Sequence, residues 1–300
     1  MKKLISVALI LLIIGLAFAP SINANTQSDF VEKSTASYDG NTLYVGGSGP
    51  GNYTKIQDAI NDSVYGDTVY VYSGIYFENL YINELLFLIG EDCNSTIIDG
   101  RYSDWTCINL FDTAMVTGFT IQNASWAGII IDGSGWSGNS HGNLIYGNII
   151  KDNKEGGILI GGSSHNKIHS NYFINNTKGL HMFGYYGHSS ENHICKNTFM
   201  KNVWGIELGK DWGGNARENY IYKNNFIRNL IHARDYGYKN NWDTGIQGNY
   251  WDNWIGLRFK NFRSFPHIIT SGILNAINYK TFFKIKFDHF PALEPYDIGV

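Results

Sequence analysis

Between Asn143 and Asn229 apolar and polar residues follow one pattern written four times: N-x-I-x-x-N-x-[IF]-x-x-N. The copies are NLIYGNIIKDN, NKIHSNYFINN, NHICKNTFMKN and NYIYKNNFIRN, starting at Asn143, Asn166, Asn192 and Asn219. Their spacing of 23, 26 and 27 residues is that of stacked supersecondary units. Each copy is followed by a second short apolar segment: GILI at 157–160, GLHM at 179–182, GIEL at 205–208 and LIHA at 230–233. An earlier pair is GFTIQN at 118–123 followed by GIII at 128–131.

Side chains alternate across a strand with period two. Ile158 and Ile160, Leu180 and Met182, Ile206 and Leu208, and Ile231 and Ala233 are therefore expected to face inward. Ile145, Ile168, Ile194 and Ile221 do the same in the preceding strands, and Ile150, Phe173, Phe199 and Phe226 follow past a bend. The asparagines fall at the bends, where Asn tolerates left-handed backbone and stacked amides can bond from coil to coil. Short strands, inward aliphatics and Asn-lined bends predict an all-β fold, a single-stranded right-handed parallel β-helix. A leucine-rich repeat would carry one Asn per repeat and a dominance of Leu, and neither holds here. About eight coils would rise roughly 40 Å at one strand spacing each.

Both ends of such a stack need a cover. Tyr53–Ile60 has helical spacing, with Ile56, Ala59 and Ile60 on one face and a capping start running from Thr54 to Gln57-Asp58, and it predicts a short N-terminal capping helix. After Asn229 the period fades into a Trp cluster (Trp242, Trp251, Trp254) and a mixed basic and apolar stretch. That stretch reads as an irregular C-terminal cap, with a membrane-surface segment as the alternative. At the other end, Lys2 and Lys3 precede an apolar run from Leu4 to Ala19, with small residues at Ala17, Ala19 and Ala24. This predicts a signal peptide, too short to be a standard bilayer span. The expected layout is a signal peptide at 1–24, a linker at 25–40, the capped β-helix at 41–255 and the C-terminal cap at 256–300.

Composition agrees with a turning, exported chain. Gly numbers 34 and Pro only 5, and aromatics reach 15%. Net charge is −3 with 16% charged residues, so no broad basic surface recruits nucleic acid. Three cysteines cannot all pair within one chain. A Cys93–Cys107 bridge and two buried thiols are both open readings. Sequons stand at Asn52, Asn61, Asn94, Asn123 and Asn175.

The stretches YVGGSGPGNYTKIQDAIN, GDTVYVYSGIYFENLYI and FLIGED between Tyr44 and Asp92 resemble the opening of exported prokaryotic β-helix proteins of the NosD-like, pectin-lyase-like group. GNYWDNWIG at 248–256 and DHFPALEPYDI at 288–298 resemble the end of an archaeal-type branch of it. The resemblance implies the fold. For function it implies a range, from carbohydrate-binding and sugar-cleaving domains to copper-site accessory proteins. The catalytic motifs of related β-helix enzymes are not reproduced: His141-Gly142 lacks the preceding Gly of a Gly-His-Gly, and Asp288-His289 precedes Phe290 without the Asp-Pro-His order.

Outward positions of the second strands are the place to look for chemistry. In order they read Ile130, Leu159, His181, Glu207 and His232, with Asp132, Phe183 and Arg234 beyond them. His181, Glu207, His232 and Arg234 are the candidate proton-handling residues, since a carboxylate beside His and Arg can work on a sugar. Loop residues Trp136, Tyr185, Tyr186, Lys210, Asp211 and Trp212 are the candidate carbohydrate contacts, because flat rings stack on sugar faces. A second outward ladder, Tyr146, His169, Cys195 and Tyr222 with His193 nearby, offers His169, His193 and Cys195 as a partial set of soft-metal ligands. A closed site needs three or four ligands, and no CxxC or HxH occurs, so no metal and no cofactor is expected. The expected protein is a secreted or cell-surface monomer that binds extracellular or cell-envelope polysaccharide on the outer face of the coils. Hydrolase, lyase or epimerase activity is left open. The alternatives are a non-catalytic structural or adhesive surface protein and a copper-site accessory protein.

Overall fold

The computed structural model describes residues 40–101, 105–134, 140–209, 213–254, 266–269 and 286–299. The expected signal peptide and most of the linker and C-terminal cap, including its basic and apolar stretch, lie outside the described residues. The chain winds as a right-handed parallel β-helix of about eight turns. The complete turns each contribute one short strand to each of three parallel sheets. Sheet A runs from Thr42–Val45 to Tyr220–Tyr222, sheet B from Gly74–Tyr76 to Tyr250–Trp251, and sheet C from Leu80–Ile82 to Ile231–Asp235.

The repeat pattern sets the interior. Ile145, Ile168, Ile194 and Ile221 stack in register on the inside of sheet A and are fully buried. On sheet B, Phe173, Phe199 and Phe226 form a near-parallel stack with centroids 4.6 and 5.2 Å apart, and Trp251 continues it at 4.2 Å. Ile158, Leu180 and Ile206 line sheet C.

Three columns of buried asparagines hold the bends together. In one of them Asn148, Asn171, Asn197 and Asn224 each pass a backbone N–H to the side-chain oxygen of the next asparagine, ending at Asn249, at 3.0–3.1 Å. Their own amides donate to that same oxygen and to strand carbonyls. Parallel columns run through Asn143, Asn166, Asn192, Asn219 and Asn240, and through Asn153, Asn176, Asn202 and Asn229. The amides thus replace the strand hydrogen bonds that each bend interrupts.

One expectation about these bends is corrected. The left-handed residue is not the ladder asparagine but the residue just before it. Gly147, Ser170, Lys196 and Lys223 precede one column, and Asp152, Asn175, Lys201 and Arg228 another, all with φ between 52° and 64°. The buried position needs an amide, whereas the strained position points to solvent and accepts many side chains.

The N-terminal end is covered by a helix at Ile56–Asp62 that buries Ile56, Ala59 and Ile60. Its cap also differs from expectation. Lys55 is the N-cap and supplies no side-chain bond; Glu78, from a neighbouring coil, accepts from the N–H groups of Ile56 and Gln57 at 2.9 Å each. The three cysteines are free and buried, so the Cys93–Cys107 bridge does not form. Burial pushes the Cys107 thiol up to about 12.

Candidate functional site

Outward residues of sheet C build a charged cluster around Glu207. Strand Lys178–Tyr185 pairs with strand Trp204–Leu208 so that Lys178 lies beside Trp204 and His181 beside Glu207. The next strand, Ile231–Asp235, sets Arg234 beside Glu207. Around the Glu207 carboxylate, Lys178 Nζ lies 3.3 Å away, His181 Nε2 3.7 Å and Arg234 Nη1 3.8 Å. Lys178 also bonds Glu155 at 3.0 Å, one coil earlier. Arg234 stacks over the Trp204 ring with its guanidinium carbon 5.2 Å from the centroid. The Glu207 side chain is 14% exposed and that of His181 13% exposed. Burial, reinforced by Lys178, lowers His181 to about 3, so its ring is neutral over the ordinary pH range. Two carboxylates joined through one ammonium, a guanidinium and a neutral imidazole on one shelf offer both acceptors and donors to a hydroxyl-bearing ligand.

His181, Glu207 and Arg234 therefore meet as a group, but His232 does not join them. In the last strand Ala233 and Asp235 take the inward places, beside Ile206 and Leu208, and Ile231 turns outward. His232 sits one residue before Ala233, beside Gly205, and is buried. Its Nε2 meets Asp252 at 2.8 Å and its Nδ1 meets the Asn229 amide at 3.2 Å. The reason is steric. Gly157, Gly179 and Gly205 occupy this column in earlier coils, and a Cβ at Gly205 would clash with the His232 carbonyl. The last strand of sheet C has no such successor among the described residues, so it can carry His in place of Gly.

Four of the six expected carbohydrate contacts, Trp136, Lys210, Asp211 and Trp212, lie outside the described residues. Tyr185 ends its strand opposite Gly213, and its side chain also lies outside what is described. Tyr186 is exposed at a positive φ of 50°, at the far end of the strand from Lys178. Sequence reasoning missed Lys178, Glu155 and Trp204. Lys178 and Trp204 immediately precede the column glycines Gly179 and Gly205, so beginning each segment at its glycine left them out.

The second ladder has the expected register: Tyr146, His169, Cys195 and Tyr222 lie side by side on sheet A. His193 is one column over, between Lys167 and Tyr220. The rings are occupied with one another. Tyr146 stacks on His169 at 5.2 Å, and His193 stacks on Tyr220 at 4.8 Å. Burial raises the Cys195 thiol and lowers both histidines, His169 to about 4. Among the described residues, which include all nine histidines and all three cysteines, no three of His, Cys, Asp and Glu converge on a point that could hold a metal ion.

Comparison with known proteins bears on this arrangement. Residues 35–256 match the family described as "Periplasmic copper-binding protein (NosD)". Among solved structures, the chain is similar to a pectin methylesterase from Aspergillus niger at 17% identity, covering 66% of this chain and 80% of that one with a TM-score of 0.30. It is similar to pectin methylesterase from carrot at 13% identity, covering 71% and 86%, also with a TM-score of 0.30. Neither likeness carries an argument about what this chain does. No curated protein matches it.

Proposed function

Since this chain belongs to the NosD family and is an exported β-helix protein, we propose that it binds extracellular polysaccharide on the outer face of sheet C, without turning it over. The observation that carries this reading is the shelf of Glu155, Lys178, His181, Glu207 and Arg234, with Trp204 beneath the guanidinium. Sugar hydroxyls both donate and accept, and a shelf of paired opposite charges answers both needs. Hydrolysis by the usual route needs one carboxyl held protonated as an acid and a second free to act on the anomeric carbon. Here the central carboxylate is shared among three cationic or imidazole groups, an arrangement suited to holding hydroxyls.

The metal in the family's name does not fit the described donors. His169 and Cys195 adjoin on neighbouring coils, but the Cys195 thiol is buried with its pKa raised, and a thiolate is what a soft metal binds. Among the described residues no third ligand converges there.

A glycan array with the purified exported chain tests the reading. Retention of at least one polysaccharide, lost in Glu207→Gln and in Lys178→Ala, is the expected result. Equal retention by wild type and both variants would remove sheet C as the binding face.

A further inference from the structure

The shelf around Glu207 has an aromatic neighbour on earlier coils. Trp105 and Trp126 stand on the two coils before Glu155, on the same line along the helix axis. Trp126 N–H donates to the Trp105 carbonyl at 2.8 Å, Glu155 N–H to the Trp126 carbonyl at 2.8 Å, and Lys178 N–H to the Glu155 carbonyl at 2.9 Å. Lys178 then lies beside Trp204. The path from Trp105 through Trp126 and Glu155 steps over by one residue at Lys178, which pairs with Gly156 and reaches Glu155 through its side chain at 3.0 Å; it continues to Trp204, about 19 Å over four coils at the strand spacing. The two indoles are not buried: Trp105 is 62% and Trp126 37% exposed. Their centroids are 5.6 Å apart and their planes meet at 83°. One ring can serve as a floor and the other as a wall for a flat-faced ligand.

We infer that Trp105 and Trp126 form a second subsite for the same ligand, a neutral polysaccharide chain lying parallel to the helix axis from the indole corner to the Glu207 shelf. This rests on the binding role proposed for that shelf. Indole faces stack on the apolar faces of pyranose rings. Neutrality follows from the shelf's charges. Lys178 and Arg234 are both already paired with carboxylates, and Glu155 and Glu207 would repel an acidic sugar. The axial direction follows from the line itself, since the aromatic corner and the charged shelf are stacked along the axis.

The experiment is chain-length dependence of binding to the full exported chain, followed by tryptophan fluorescence and calorimetry. The probes are chitobiose and chitohexaose, cellobiose and cellohexaose, and hexagalacturonate as the anionic arm. At least one neutral hexasaccharide should bind, and hexagalacturonate should bind at least about tenfold more weakly than it. Trp105→Ala and Trp126→Ala should each weaken the bound neutral hexasaccharide about tenfold and leave its disaccharide within about twofold. Glu207→Gln should weaken both lengths. If the Trp variants bind the hexasaccharide like wild type while Glu207→Gln weakens it, this inference fails and the shelf reading stands. If the Trp variants weaken binding and Glu207→Gln does not, the shelf reading fails, and with it the joined subsite. Tighter binding of hexagalacturonate overturns the neutral class. No binding of any probe overturns the inference, while the glycan array separately decides the shelf reading. Unchanged circular dichroism of each variant shows that the fold is retained.

Discussion

Asn249 gives its backbone N–H to Asp288 Oδ2 at 2.6 Å, in the place where each earlier asparagine of its column meets the next asparagine. Asp288 also accepts from Asn249 Nδ2, Trp251 Nε1 and the Phe290 N–H. A residue from the C-terminal segment thus closes the ladder. The other two columns end in a similar way. Asn240 donates to Asp235, which is paired with Lys286, and Asn229 meets His232, which is paired with Asp252. An asparagine ladder passes unsatisfied donors forward, so its last member needs a terminal acceptor.

Asp288 makes that closure pH-dependent. Burial pushes its carboxyl up to about 7, against the N–H groups that favour the charged form. A carboxyl whose pKa is higher folded than unfolded binds more protons in the native state between the two values. Its contribution to stability is present below the unfolded value near 3.8 and is lost as pH rises through about 7. Thermal melts of Asp288→Asn across this range are expected to lack that decline. Wild-type and variant melting curves that keep the same pH slope would contradict it.

Ladder and strained positions should respond oppositely. Asn197→Ala removes the acceptor of the Asn171 N–H and amide, and the donor to Ile168 and Cys195 carbonyls. With several buried groups left unpaired, a loss of at least about 3 kcal/mol is expected. Its neighbour Lys196 is exposed at φ 54°, so Lys196→Gly should be neutral or stabilising by up to about 1 kcal/mol. Urea midpoints of the two variants check the contrast.

The glycine column leaves no room for a side chain on sheet C. A Cβ at Gly179 would press on the Gly205 carbonyl and the Phe199 ring, and one at Gly205 on the His232 carbonyl and the Phe226 ring. Gly179→Ala is expected to cost about 2–3 kcal/mol, read from its denaturation midpoint. His232→Gly, at the end of the column, should instead lose the Asp252 pair without relieving any clash.

These columns also explain what the sequence could and could not reveal. The Asn period and the inward Ile and Phe positions were legible because each repeats at a fixed offset within its copy. Counting from Leu180 and Ile206 correctly put His181 beside Glu207. The same count failed at His232, because the last copy has no glycine to mark its register; the strand starts at Ile231, where earlier coils have Lys178 and Trp204. The final coil was harder still. Asn240, Asn249 and Trp251 continue two ladders and the aromatic stack, but Trp251 replaces Phe and the motif reads as a Trp cluster. The cap closing on Asp288 joins residues 39 apart through contacts that no period announces.

The donor geometry makes a prediction about copper. Purified protein loaded with equimolar Cu(I) and then desalted should retain well below one ion per chain by elemental analysis, with Cys195→Ser unchanged. The buried thiol must lose its proton to bind, and His169 and His193 are each stacked on a tyrosine. One retained copper per chain, lost in Cys195→Ser, would reinstate the sheet A ladder as a metal site.

His181 supplies a prediction of opposite sign to Asp288. Burial and Lys178 lower its pKa to about 3, from 6.5 in an unfolded chain. Its contribution to stability is present above 6.5 and is lost as pH falls towards 3, because the unfolded chain then binds the extra proton. His169 and His267, each lowered to about 4, add to the same acid loss. His181→Gln should therefore reduce, without abolishing, the fall in melting temperature below pH 6.5. Binding at the Glu207 shelf has a separate expectation. The imidazole stays neutral from about pH 5 to pH 8, so polysaccharide affinity should be flat across that range. A step in affinity near the ordinary histidine value, abolished in His181→Gln, would mean that His181 titrates in the open and that the shelf is more exposed to water than its 13% exposure indicates.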